Sequence, residues 1–403
     1  MSTAPVPRHG AGPGVFEPAR LGPVTLKNRI IKAATFEGSS PKGEVTDQLI
    51  DFHRRVAAGG AAMSTVAYLA VSPEGRTDRH CIRLDTSSLP GLRRLTDAVH
   101  EAGAAVSAQI GHAGPVANAR SNGAPSLGPS RRFSPTGTVT RAASDEDIAR
   151  ITEDYRRASE VAVEAGFDCI EVHLGHNYLL SAFLSPKLNR RSDRWGGTLS
   201  NRSEFPRQVV RAVRDAVGGR IAVTAKLNMA DGVPGGLWLD ESVEFARMLE
   251  SDGSLDALEL TGGSSLSNPM YLFRGEAPRA EFAATLPAPL RAGFRVVGSR
   301  FLRDYPFEEA YFLPYARQFL DALGMPVILL GGVNRLETVE GALSEGFSFV
   351  AMARALLREP DLVARWEQGS ATAGMCIHCN KCMPTIYSGT RCVLVEGATP
   401  SRA

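Results

Sequence analysis

Eight times along this chain a short apolar run of strand length is followed by a stretch of helical periodicity, and that regular alternation limits the fold more than any other feature. Strands are expected at 30–36, 62–71, 104–110, 168–173, 221–227, 257–260, 327–330 and 349–352. The helices between and after them fall at 47–58, 92–101, 145–165, 202–217, 241–250, 309–323, 336–343 and 356–366. Asn201 and Glu204 have the spacing of an N-cap and its N3 partner, so the fourth helix is expected to start there. Eight strand and helix pairs within 403 residues predict an α/β chain folded as a (β/α)8 TIM barrel, whose chemistry sits at the carboxyl ends of the strands. An open doubly wound sheet is the alternative, but no Gly-x-Gly-x-x-Gly run follows the first strand.

The sixth helix is delayed by a stretch holding Pro269, Pro278, Pro287, Pro289 and Pro306. Loops of that length inside a compact domain are usually functional. Residues 263–312, with Tyr271, Phe273, Phe294, Phe301, Tyr305, Phe307, Tyr311 and Phe312, are read as an insertion that caps the barrel mouth or serves as a packing plug or oligomer contact. The expected division is a flexible N-terminus at 1–14, a barrel at 15–366 and a Cys-rich C-terminal extension at 367–403.

Polar residues cluster where a barrel would place its chemistry. Gln109 and His112 end strand three, His173 and His176 end strand four, and Lys226 and Asn228 end strand five. Two histidines three residues apart at a strand end have three readings: a metal site, a pair of N–H donors polarising one carbonyl while Tyr178 supplies a proton, or buried rings bonded to backbone. No third ligand is spaced to join them in a metal site. After strand seven the chain reads Gly331-Gly332, and after strand eight Ala353-Arg354 opens a helix. Small residues that admit backbone N–H groups, a helix N-terminus and a guanidinium together suit a phosphate. Across the mouth, Gln109 suits a pyrimidine-like edge and Lys226 a ring that becomes anionic on reduction; their bland readings are a capped amide and a salt bridge.

A formal charge of +2 gives no case for nucleic acid or an anionic membrane, and no apolar run approaches the roughly 20 residues of a membrane span. No basic-then-apolar leader pattern opens the chain, so a cytoplasmic protein is expected. Of six cysteines, Cys81 and Cys169 stand alone, Cys169 as a small buried thiol. Cys376, Cys379, Cys382 and Cys392 crowd together in a pattern that favours ligation of a metal or cluster over disulfides.

Phe16-Glu17-Pro18, Leu26-Lys27-Asn28-Arg29-Ile30, Gln109-Ile110-Gly111-His112-Ala113-Gly114 and the long run from His173 through Tyr178-Leu179-Leu180, Phe183-Leu184-Ser185-Pro186, Asn189, Arg191, Asp193 and Gly196-Gly197 to Asn201-Arg202 resemble the Old Yellow Enzyme family, the FMN-dependent NADH:flavin oxidoreductases. The resemblance implies FMN, with its phosphate at Gly331, Gly332, Ala353 and Arg354, Gln109 on its pyrimidine, Lys226 near N1 and O2, and Ala34 and Thr35 against the ring. It implies an ene-reductase: NAD(P)H reduces FMN, and hydride passes to the β-carbon of an enone whose carbonyl His173 and His176 polarise and whose α-carbon Tyr178 protonates. Lysine stands where many relatives carry arginine, and Phe36 where relatives often carry threonine or cysteine.

The terminal cysteines resemble the iron–sulfur segment of 2,4-dienoyl-CoA reductases, which implies a [4Fe-4S] cluster, with zinc as the other occupant of a four-thiolate site. The spacing of the third and fourth cysteines departs from that branch, and His378 is read as solvent-facing. The expected partners are a small enone or dienoyl-type substrate and further copies of the chain. Alternatives are a dienoyl-thioester reductase, an FMN-dependent dehydrogenase or demethylase, and, outside enzymes, a flavin and thiol redox sensor or electron carrier.

Overall fold

The computed structural model describes residues 12–133 and 139–395. The expected flexible N-terminus lies outside them up to residue 11, as does the end of the extension from 396 onward. Eight parallel strands, Ile30–Phe36, Met63–Ala70, Ala105–Gly111, Cys169–Leu174, Ala222–Asn228, Ala257–Thr261, Val327–Leu330 and Phe349–Met352, close into a barrel, the eighth pairing back onto the first. Strands covered on both faces bury every residue, which is why they read as near-continuous apolar runs. All residues of the second, fourth, fifth, sixth and eighth strands are buried. A short antiparallel hairpin, Ala19–Leu21 with Val24–Leu26, packs Leu21 and Leu26 against Cys169, Ala222 and Ala257, the first residues of three strands, and so plugs the amino end of the barrel. The carboxyl end is left for chemistry.

The helices follow the expected order with three differences. The fourth, Leu199–Val217, starts earlier than expected: Thr198, in extended conformation, accepts from the N–H of Asn201, whose own side chain is spent on the Gly196 carbonyl. The hydroxyl one turn earlier therefore caps the helix, and the Asn201 and Glu204 pair does not. The eighth helical stretch is two pieces, Arg354–Arg358 and Leu362–Glu367, because Pro360 cannot continue the first. The delayed region after strand six holds short helices at Met270–Phe273 and Arg279–Thr285 and a longer one at Ala288–Phe301, before Leu313–Ala322 packs against the barrel. Helix Ala288–Phe301 lies almost wholly exposed, with Val296 at 80%. No helix among the described residues is long and apolar enough to cross a membrane.

Candidate active site

One cavity of about 550 Å³ occupies the carboxyl mouth of the barrel, within the range that encloses a cofactor-sized ligand. Its wall includes Ala34, Thr35, Gln109, His173, His176, Tyr178, Lys226, Gly331, Gly332, Ala353 and Arg354, whereas His112 and Asn228, also expected at strand ends, are buried outside it.

On one side the chain leaves strand four through His176 and Asn177, both in left-handed backbone conformation, at φ 59° and 60°. Such a pair is sparsely populated outside glycine and needs support from its surroundings. Asn228 supplies it, accepting from the His176 backbone N–H at 3.1 Å while its own amide donates to Gly263 O and Asp231. Asp231 also accepts from Ser185 and from the Leu237 N–H, tying three loops beneath the site. The turn aims His176 Nδ1 at His173 Nε2, 3.3 Å away, and His176 Nε2 at the Thr261 hydroxyl, 3.0 Å away. The two rings therefore face each other, and an acceptor oxygen or sulfur held by both would replace that contact. The Tyr178 ring stands nearly perpendicular to those of His173 and Tyr68, with centroids 4.6 and 5.3 Å away, while the Tyr68 hydroxyl donates to Gly75 O. Burial, reinforced by His176 and Lys226, pushes His173 well below its usual pKa; burial and then Lys226 bring His176 down to about 3. Both rings are neutral at physiological pH, so each offers one N–H and one acceptor nitrogen.

The floor is a row of charges across neighbouring strands. Gln109 pairs in register with Glu171 and Lys226 with Glu259. Gln109 Nε2 donates to Glu171 Oε1 at 2.6 Å, and Lys226 Nζ lies 2.9 Å from the same oxygen and 2.8 Å from Glu259 Oε1. The Glu259 contact is an ion pair whose geometry is off the hydrogen-bond axis. Burial and then the neighbouring Glu171 raise Glu259 to about 8. For Lys226 burial would lower the ammonium, yet the two carboxylates outweigh it and its pKa rises. Lys226 thus stays cationic at the cavity floor, and the salt-bridge and cofactor readings of this residue are compatible.

Opposite lie the small residues. Gly331 and Gly332 have φ of 123° and 76°, and a Cβ on either would meet the rings of Phe312 or Tyr311 below 3 Å, so only glycine lets the backbone approach here. Arg354 turns part of its guanidinium away from the cavity: Nη1 donates to Phe273 O at 2.6 Å and Arg274 O at 3.0 Å, and also to Asn380. The insertion and the extension therefore meet on this side chain. Phe273, Phe282, Phe301 and Tyr311 join the cavity wall, whereas Phe312 is buried behind it and Phe294 packs on Phe282.

The four extension cysteines line a second, much smaller cavity with Arg354, Arg358, His378 and Asn380, and Cys382 and His378 face both cavities. The structure gathers the four thiols, but no three His, Cys, Asp or Glu side chains among the described residues stand close enough to hold a metal ion, so a cluster or zinc finds no support in this arrangement. Burial lifts Cys382 to about 12 and also raises Cys376. His378, expected in solvent, is instead buried and stacked on Phe307 with ring centroids 3.4 Å apart, because its left-handed backbone turns the ring onto the insertion. Sequence reasoning missed Glu171, Glu259, Thr261 and Asp231. The available signal was a carboxylate inside an otherwise apolar strand.

The family described as NADH:flavin oxidoreductase / NADH oxidase matches residues 14–257. A protein of Rhodococcus erythropolis described as 4,4'-dithiodibutanoate disulfide reductase is 60% identical over 395 residues, spanning 98% of this chain and 96% of its own length. The chain belongs to the NADH:flavin oxidoreductase family. Membership makes it an oxidoreductase of the Old Yellow Enzyme type, with FMN and NAD(P)H as the cofactors typical of the family. Among solved structures, the old yellow enzyme homologue from Zymomonas mobilis shares the fold at TM-score 0.72 and 21% identity, covering 91% of this chain and 96% of that one. A 2-naphthoyl-CoA reductase in complex with 2-naphthoyl-CoA is similar at TM-score 0.79 and 24% identity; it covers 94% of this chain, which spans only 56% of that protein. The cavity fits the family's cofactor in size, in its floor of Gln109 and Lys226, and in the backbone approach that Gly331 and Gly332 allow.

Proposed function

We propose that this chain uses NAD(P)H and FMN to reduce a small organic disulfide bearing carboxylates. The observation that carries the reading is full-length similarity, at 60% identity, to a protein described as reducing 4,4'-dithiodibutanoate. Gln109, Lys226, Ala34 and Thr35 would hold the ring of FMN, and Gly331, Gly332, Ala353 and Arg354 its phosphate. When bound, FMN would supply the two-electron hydride chemistry that couples NAD(P)H to the acceptor.

The chain's own residues have the remaining task. Two-electron cleavage of RS–SR with one hydride gives RSH and RS⁻, and the thiolate carries the negative charge that must be stabilised. A sulfur seated between the rings would replace the single hydrogen bond between neutral His173 and His176, and an N–H from each ring, in the tautomer that faces the cavity, would stabilise charge that exists only as the bond breaks. Tyr178, whose ring packs on His173, would return the proton that completes the second thiol. Enone reduction is the second reading, favoured by the same trio, since an enolate oxygen and an α-carbon make the same two demands. The cap formed by residues 263–312 is proposed to set acceptor choice through Phe273, Phe301 and Tyr311.

Anaerobic enzyme reduced with NADH or NADPH should be reoxidised by 4,4'-dithiodibutanoate faster than by cyclohexenone; the opposite order would favour the enone reading. His173→Ala combined with His176→Ala should slow reoxidation about 100-fold or more while flavin stays bound. Retained turnover in that variant would sink the role given to the histidines.

A further inference from the structure

Glu171 is buried, lies beneath the cavity rather than on its wall, and has no part in the chemistry described so far. It nevertheless touches both groups that form the floor, through a single oxygen: Gln109 Nε2 at 2.6 Å and Lys226 Nζ at 2.9 Å. A carboxylate beside an ammonium only accepts, so the end of the Gln109 amide that meets it must be the nitrogen. That contact settles which way the amide is turned. With Nε2 held below, the acceptor Oε1 is left for the cavity.

Lys226 is constrained likewise. Two of its directions are taken by Glu171 and Glu259, on the strands to either side, leaving a donor toward the mouth. The floor then presents an acceptor beside a cationic donor. That pattern is complementary to an imide edge, in which a ring N–H stands next to a carbonyl.

We propose that Glu171 is a positioning residue for flavin binding, which orients the Gln109 amide so that its oxygen receives a ring N–H beside the Lys226 ammonium. The inference rests on the reading of the cavity as an FMN site. Glu259 lies beside Lys226 and not beside Gln109: with Glu171 neutralised, Lys226 still faces the Glu259 carboxyl, whereas Gln109 loses the anion it donates to. Removing the charge of Glu171 should therefore act on the ring end of the ligand and leave the phosphate end alone.

Riboflavin, which lacks the phosphate, separates the two ends. Apo-protein would be titrated with FMN and with riboflavin by quenching of flavin fluorescence, and the visible spectrum of each complex recorded. Glu171→Gln should weaken both ligands by the same factor, about tenfold, and shift the bound flavin's absorbance toward that of free flavin. Glu171→Asp should recover part of both effects. Wild-type affinity and spectrum in Glu171→Gln would overturn the proposal, and so would a loss confined to FMN. If Glu171→Gln does not fold, the pair Gln109→Met and Gln109→Met/Glu171→Asp replaces it: equal riboflavin affinity in the two supports action through Gln109, and a further loss refutes it. Failure of the wild-type protein to bind either flavin would instead remove the FMN reading itself.

Discussion

Opposite pH responses are built into single residues of the mouth. His173 and His176 are held neutral by burial, so unfolding lets them take up protons below their ordinary value of 6.5. The unfolded state then binds more protons than the folded one, and stability falls as pH drops below about 6.5. Glu259 acts with the other sign: its carboxyl, raised from 4.5 to about 8, keeps a proton in the folded state that the unfolded chain gives up. Its contribution is unaffected below about 4.5 and erodes stability as pH rises toward 8. Thermal melts across pH are the check. Glu259→Gln should flatten the decline in Tm on the alkaline side of pH 5 and leave the acid side unchanged, whereas His173→Gln with His176→Gln should flatten the acid side alone. The histidines were legible because their spacing at a strand end is a local pattern. Their mutual 3.3 Å contact was not, since it depends on the left-handed turn at His176 and Asn177 that Asn228 supports from a different strand.

The eight strands were readable in sequence because a parallel strand buried on both faces leaves no polar alternation, and the first, seventh and eighth fall at the residues expected. The helices between Met270 and Phe301 were not, because they follow prolines and the later two are largely exposed, and so lack a one-sided apolar stripe. The extension shows a third situation: the clustering of its cysteines in space was legible from their spacing, but ligation was not. Two measurements address it. Under native anaerobic conditions a thiol reagent should modify no more than the four extension cysteines, with Cys382 the slowest of them, and reach all six, including buried Cys81 and Cys169, only after denaturation. Iron, sulfide and zinc should be substoichiometric in the same preparation; a full equivalent of metal per chain would restore the cluster or zinc reading.

At the scale of the whole molecule, one guanidinium joins three parts of the chain that are far apart in sequence. Arg354 donates to the carbonyls of Phe273 and Arg274 in the insertion and to the side-chain oxygen of Asn380 in the extension. Residues His378, Cys382, Met383, Ile386 and Thr390 complete the cavity wall that begins at Ala33. A chain ending at residue 366 should keep its barrel, seen as unchanged far-ultraviolet circular dichroism, yet purify with much less flavin; full flavin content would show that the extension's wall is dispensable.

That shared wall also has a consequence for biosynthesis. Strands one, three and five supply the side chains proposed to hold the flavin ring, but the glycines and Arg354 follow only after residue 330, and the last wall residue is Thr390. A ribosome-bound chain stalled before Thr390 lacks part of that wall. Flavin capture is then expected only once the extension has been made, and a product terminated within the barrel would be marked by its emptiness.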